Sequence, residues 1–344
     1  MRRLRVALET QFAHGTPTGL GTYAKRLTNA LAARGDVEIV ELSDDSFDVW
    51  RFDRRLYWDQ VRARHLAVRA RADVVHFTGG TMPWWPPHPC VLTLHDVAWL
   101  RGSVDGSLHQ RWYFGGLQRS LSRQADRIAA DSQCARDEIV ERIAVTPAKV
   151  VVTGAGVDDA WFGLSPQAGA GRYVLCVGTV ERRKDLITAL RALVDLPGVR
   201  LISAGPLTRY AAAVTAEANR LSLADRVTLE GYVSEAALHE LYRNASAFVF
   251  PSQYEGFGLP PLQALAAGLP VVAADIPVMR EVLGDCAVFA RSGESESFAD
   301  ALRTTLELGA DVRERAQRGV VWARQFTWSS VAERMTRLYR SLAG

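Results

Sequence analysis

The sequence predicts an α/β protein of two successive units, each a parallel β-sheet flanked by helices. Three observations carry this expectation. Short β-branched or apolar runs alternate with longer helical patterns along the whole chain, the rhythm of βαβ units whose strands are buried on both faces. The length, 344 residues, fits two domains of roughly 150 residues better than one. Near the middle, Leu164 to Gly171 (LSPQAGAG) is rich in Gly, Ala and Pro, has no apolar periodicity and reads as a linker.

The elements follow in order. In the first half, apolar runs predict strands at Leu4 to Leu8, Val37 to Leu42, Asp73 to Phe77, Cys90 to Leu94, Arg127 to Ala130 and Val150 to Val152. Helical spacing predicts Thr22 to Arg34, Arg54 to Ala70, His109 to Gln124 and Ser132 to Arg142. After the linker the rhythm restarts with strands at Tyr173 to Val177, Val199 to Ala204, Val227 to Glu230, Ala247 to Phe250, Val271 to Ala274 and Ala287 to Phe289. Thr327 to Leu342 places Val331, Met335, Leu338 and Leu342 on one stripe, an amphipathic closing helix.

Composition narrows the function. A net charge of +3 from 41 basic and 38 acidic residues is too balanced for a nucleic-acid footprint. Cys90, Cys134, Cys176 and Cys286 are scattered singly among apolar residues, as reduced buried thiols of a cytoplasmic protein are. The basic start is followed by too short an apolar stretch for a signal peptide, and no run approaches the roughly 20 residues that span a bilayer. No H-x-x-x-H, cysteine pair or Asp triad points to a metal. Arg51 to Arg71 interleaves seven arginines with Trp50, Phe52, Tyr57 and Trp58, a pattern suited to peripheral contact with an anionic membrane or acceptor. Leu56, Val61, Leu66 and Val68 give the same segment a buried face, so the reading preferred is an ordinary solvated helix of the fold.

Chemistry concentrates where strands end. Pro251 to Pro270 (PSQYEGFGLPPLQALAAGLP) follows a strand with a glycine-containing turn and a proline-opened helix, which turns backbone N–H groups and a helix dipole toward the carboxyl edge of the sheet. Gly256 and Gly258 admit a phosphate or sugar, and Glu255 accepts from hydroxyls. Gly178 to Asp185 (GTVERRKD) sets Arg182, Arg183 and Lys184 where a helix begins, and cations there oppose the dipole unless an anion joins them. Thr16 to Tyr23 (TPTGLGTY) predicts a flexible glycine loop, incomplete as a dinucleotide fingerprint because Ala24 stands three residues after Gly21. Val91 to Trp99 (VLTLHDVAW) delivers His95 and Asp96 at a strand end, candidates for a sugar contact, and His76 is a weaker candidate of the same kind.

Seven segments in order, the loop at Gly19 and Gly21, LHD, ADRIAADS, TGAGVD, GTVERRKD, LEGYVS and EGFGLPPLQALAAGLPVV, resemble the retaining glycosyltransferases of family 4, the mannosyltransferase-like group 1 glycosyltransferases. The resemblance implies a GT-B fold of two facing Rossmann-like domains: residues 1–165 on the acceptor side, 166–326 binding the nucleotide-sugar, and 327–344 a crossover helix packed back on the first. It implies donor contacts at Gly19, Gly21, Gly178, Tyr232, Val233, Gly256, Phe257, Gly258, Leu259 and Gln263. It also implies a diphosphate held by Arg183 and Lys184, a transferred sugar held by Glu255, and His95 near the reacting carbon. The family's second signature glutamate is Gln263 here, which removes charge assistance at the position that usually binds ribose hydroxyls. The expected reaction is metal-independent transfer of a hexose from GDP-mannose or a UDP-glucose-type donor to a saccharide or lipid-linked saccharide, with retention and without a cofactor. The alternatives are a GT-B nucleotide-sugar epimerase, a Rossmann oxidoreductase and a non-catalytic nucleotide-sugar-binding subunit.

Overall fold

A computed structural model describes residues 3–14, 19–102, 107–164 and 173–344. They form two compact units. The first comprises the described residues up to Gly156 together with Thr327–Gly344, and the second Val157–Phe326. The chain thus passes between units at Gly156, earlier than the sequence reading places the boundary; the glycine-rich run read as a linker lies outside the described residues from residue 165 on. Gly156 is required at this passage, because a Cβ there would meet the Trp328 backbone nitrogen at 2.4 Å.

The first unit holds six parallel strands: β1 (Leu4–Glu9), β2 (Val37–Leu42), β3 (Val74–Phe77), β4 (Cys90–Leu94), β5 (Arg127–Ala130) and β6 (Val150–Val152), in the order β2-β1-β3-β4-β5-β6. β3 and β4 are buried along their whole length, which is why they read as unbroken apolar runs. Their helices are α1 (Gly19–Ala33), α2 (52–70), α3 (108–122) and α4 (133–144). The last three each widen into a π-type segment, at Trp58–Arg62, Arg111–Leu117 and Val140–Ala144.

The second unit repeats the plan with β7 (Tyr173–Val177), β8 (Arg200–Ala204), β9 (Val227–Gly231), β10 (Ala247–Phe250), β11 (Val271–Ala274) and β12 (Val288–Ala290), all parallel, in the order β12-β11-β10-β7-β8-β9. Its main helices are α5 (Leu186–Ala192), α6 (Ala211–Arg220), α7 (Glu235–Asn244), α8 (Leu259–Ala266), α9 (Pro277–Leu283), α10 (Ser295–Leu306) and α11 (Ala310–Ala323). The closing helix α12 (Trp328–Ala343) belongs to the first unit, where Val331, Met335 and Tyr339 are buried. Every expected strand is present to within a residue at either end.

Two expectations are corrected. Of the glycine loop expected at Thr16 to Tyr23, the part before Gly19 lies outside the described residues, and Gly19 and Gly21 lie not in a loop but in the first turn of α1, where a Cβ on Gly21 would meet the Phe12 carbonyl oxygen at 2.1 Å. The face of α2 is also shifted: of the four aliphatics expected on it, Leu66 packs against the core, but Leu56, Val61 and Val68 are 36%, 50% and 54% exposed, and the helix packs inward mainly through Trp58, Ala63, Ala67 and Ala70. The small side chains let the helix approach the sheet closely, which leaves Leu56, Val61 and Val68 outside the contact.

Candidate active site

In the second unit, β7 and β10 are hydrogen-bonded neighbours, so the segments leaving their carboxyl ends lie side by side. Gly178 follows β7 with φ 146°, a conformation open to glycine, and packs against the Lys184 side chain. Arg182–Lys184 then form a single 3-10 turn, and Asp185, not a cation, stands at the start of α5. The three cations therefore sit one turn ahead of the helix and do not oppose its dipole directly.

From β10, Glu255 reaches this turn. Lys184 Nζ donates to Glu255 Oε1 at 2.5 Å, and Arg183 Nη1 to Oε2 at 3.2 Å and to the Tyr254 carbonyl at 3.0 Å. Glu181 pairs with the same guanidinium at 2.8 Å. Glu255 is buried, and burial by itself pushes its carboxyl up; the Lys184 and Arg183 charges outweigh that and hold it below its ordinary value. Two cations and two carboxylates thus balance here, and Lys184 also lines a small pocket with Gly178, Thr179, Phe250 and Ser252.

The glycine signature takes the expected form. Gly256, Phe257 and Gly258 are buried, Gly258 has φ +100° at the start of α8, and a Cβ there would strike Met279 at 2.4 Å. Leu259 opens α8 and Gln263 lies one turn on, both half-buried. Tyr232, 48% exposed, and half-buried Val233 follow β9 at the sheet edge.

In the first unit, the order β3-β4-β5 delivers Thr78, His95 and Asp131 side by side, each one residue beyond its strand. His95 Nδ1 donates to Asp131 Oδ2 at 2.7 Å and Nε2 to the Thr78 carbonyl at 3.1 Å. Both partners are acceptors, so the ring carries two N–H groups and a positive charge. Burial opposes that charge, but Asp131, the Thr78 carbonyl and Asp96 together outweigh it and raise the imidazole above its usual range. The Tyr23 ring stands edge-on to His95 at 4.6 Å. Asp131 Oδ1 is buried without a hydrogen-bond partner.

Asp96 accepts the Ala98 amide at 2.9 Å and so shapes a local turn. His76 is corrected outright as a candidate for substrate contact. It is fully buried, its Nδ1 and Nε2 each lie 2.7 Å from a hydroxyl, of Tyr339 and of Thr93, and burial pushes the imidazole down to about 3. It is a neutral core residue that pins α12 to the sheet.

Sequence reasoning missed two constellations. Glu9, at the end of β1, accepts from Trp58 Nε1 at 2.7 Å and from the amides of Thr78 and Gly79 at 3.0 Å each, fixing the loop that carries the His95 acceptor. Beside it, buried Arg55 and Asp59 pair at 2.9 Å, and Tyr113 donates to Asp59. At the other end of the sheet His88, Cys90 and Asp126 form the one constellation of metal-ligand type among the described residues. Asp126 Oδ2 already accepts from His88 Nδ1 and the Cys90 amide, both at 2.7 Å, and burial pushes the Cys90 thiol up to about 12. We read this triad as a hydrogen-bonded tie between β4 and β5.

Comparison with known proteins fits this geometry. The chain matches the family described as "Glycosyltransferase Family 4" over residues 17–161 and that described as "Glycosyl transferases group 1" over residues 159–320. It is 30% identical to a glycogen synthase of Mycobacterium tuberculosis, over 78% of this chain and 69% of the relative. It is 29% identical to O-antigen chain mannosyltransferase B of Escherichia coli, over 73% and 70%. A sucrose-phosphate synthase of Thermosynechococcus elongatus superposes with TM-score 0.77 at 20% identity, over 99% of both chains. Anabaena HepE, solved with UDP and glucose, superposes with TM-score 0.77 at 17% identity, over 99% of this chain and 100% of that one. The likeness to these solved structures shows a GT-B fold.

Proposed function

Because the chain belongs to the family 4, group 1 glycosyltransferases, we propose that it transfers a hexose of mannose or glucose type from a nucleoside-diphosphate sugar to a saccharide or lipid-linked acceptor, with retention and without a metal or cofactor. The observation that carries this reading is the ion cluster of Arg183, Lys184 and Glu255 at the adjoining ends of β7 and β10. Two half-buried cations already neutralised by carboxylates can exchange that partnership for a diphosphate, stabilising the leaving group as its charge develops, a role that a divalent metal fills elsewhere. Glu255, released from them, accepts from hydroxyls of the transferred sugar. Gly178, Gly256, Phe257, Gly258 and Leu259 offer backbone to sugar and phosphate, Tyr232 and Val233 receive the base, and Gln263 meets the ribose.

The bond between the anomeric carbon and the diphosphate oxygen breaks as the acceptor oxygen bonds to the same face, and a leaving-group phosphate oxygen takes the acceptor proton. His95, cationic and aligned by Asp131 and Thr78, suits a sugar hydroxyl beside the reacting carbon better than the positively charged carbon itself. The donor is GDP-mannose or of UDP-glucose type; the relatives named as a mannosyltransferase and a glycogen synthase support a hexose. We place the enzyme in the cytoplasm.

The test is release of nucleoside diphosphate from a panel of nucleotide sugars by the wild type, R183A and K184A. The proposal expects one donor class to turn over and each variant to lose it by at least about a hundredfold, the loss typical of one removed electrostatic donor. Unchanged turnover in either folded variant would overturn the diphosphate assignment.

A further inference from the structure

Nine of the thirteen exposed large hydrophobic side chains among the described residues fall between residues 50 and 112, all in the first unit. Several share one face of α2, where Tyr57, Val61 and Val68 recur at helical spacing and are each at least half exposed. Arg54, Arg64 and Arg69 interleave with them. The neighbouring loop adds two tryptophans: Trp84 is 48% and Trp85 70% exposed. Their backbone is tied to α2, since the Trp84 amide donates to Gln60 at 2.8 Å and Arg64 Nε donates to the Trp85 carbonyl at 2.8 Å.

The charge on this face is unbalanced. Of the seven arginines between residues 51 and 71, Arg51, Arg55 and Arg62 pair with Asp53, Asp59 and Asp44. Arg54, Arg64, Arg69 and Arg71 have no carboxylate partner among the described residues. Exposed aromatic and aliphatic side chains beside unneutralised guanidinium groups fit a surface that is anionic at its face and apolar just beneath. A purely saccharide partner would use the aromatics and cations but give the aliphatics Val61 and Val68 nothing to contact.

We propose that the exposed face of α2, with Trp84 and Trp85, docks the first unit on an anionic lipid bilayer. The tryptophans and Tyr57 seat at the headgroup level, Val61 and Val68 reach the acyl boundary, and the arginines pair with lipid phosphates. No helix among the described residues is long and apolar enough to cross a membrane, so this contact is lateral.

The test is co-sedimentation of the full chain with vesicles of phosphatidylcholine and phosphatidylglycerol, and with phosphatidylcholine alone. The expected result is binding to the anionic vesicles only, lost at about 0.5 M salt where screening is short-ranged. R54Q with R69Q should weaken partitioning by roughly 25-fold, about fivefold for each cation removed. W84S with W85S should weaken it further, and circular dichroism melting should show both double variants folded. No binding by the wild type, undiminished binding by both folded variants, or equal binding to neutral vesicles would overturn the proposal. So would a wild-type mass in solution that doubles and reverts in W84S/W85S, because the face would then join two copies of the chain.

Discussion

Replacing Glu255 by glutamine keeps the shape of the side chain and removes the charge on which Arg183 and Lys184 converge. The side chains of Glu255, Lys184 and Arg183 are only 8%, 14% and 15% exposed, so water cannot take over the lost partnership freely. Removing one partner of a buried pair costs about 3–5 kcal/mol. Arg183 keeps Glu181 at 2.8 Å, which places the expected loss near the lower end, about 3 kcal/mol. For a unit of this size that lowers Tm by about 6–12 °C, read by scanning fluorimetry. The pH dependence has a definite sign. Glu255 is held below its ordinary 4.5, so its contribution is present above that value and is lost as pH falls through the folded value; the gap between wild type and E255Q is full at neutral pH and closes in acid. GDP or UDP should raise the Tm of E255Q more than that of the wild type, because the diphosphate supplies the missing negative charge, while turnover falls. A Tm within about 2 °C of wild type at neutral pH would refute the ion cluster as the organising feature of the site.

Three further outcomes follow from the first unit. His95 is raised above its ordinary 6.5, so the stability lost in H95Q is full below that pH and fades as pH rises through the folded value; urea unfolding at acid and alkaline pH checks the sign. Tyr339→Phe leaves one nitrogen of His76 buried without its hydroxyl partner and costs about 1–3 kcal/mol in the same assay. Gly21→Ala forces a Cβ to within 2.1 Å of the Phe12 carbonyl oxygen, and a backbone shift there costs about 3 kcal/mol; a loss below about 1 kcal/mol would contradict the close approach of α1 to that turn.

What the residues reveal before folding, and what they withhold, has a physical pattern. Strands such as β4 (CVLTL) are legible because burial on both faces demands an unbroken apolar run. Arg183, Lys184 and Glu255 are legible as separate strand-end groups; that they meet depends on β7 pairing with β10, which no local spacing records. The same holds for His95 and Asp131, 36 residues apart and joined because β4 and β5 are neighbours. The second aspartate of ADRIAADS, just past a strand, is the signal that could have found it. The face of α2 is only partly legible: Leu66 packs inward as a hydropathy pattern expects, but Leu56, Val61 and Val68 count toward burial in any such pattern, whereas Ala63, Ala67 and Ala70 make the close contact. His76 shows the converse: a strand-end histidine resembles a functional one until Tyr339, 263 residues away, satisfies it.

The measurement that bears most directly on the whole account is proton NMR of the purified protein with GDP-mannose or UDP-glucose and a saccharide acceptor, following the anomeric signals from the first minutes. The account predicts release of nucleoside diphosphate and a new glycoside whose first-formed anomer has the configuration of the donor. A first-formed product of opposite configuration, or a nucleotide sugar isomerised without any acceptor, would contradict it.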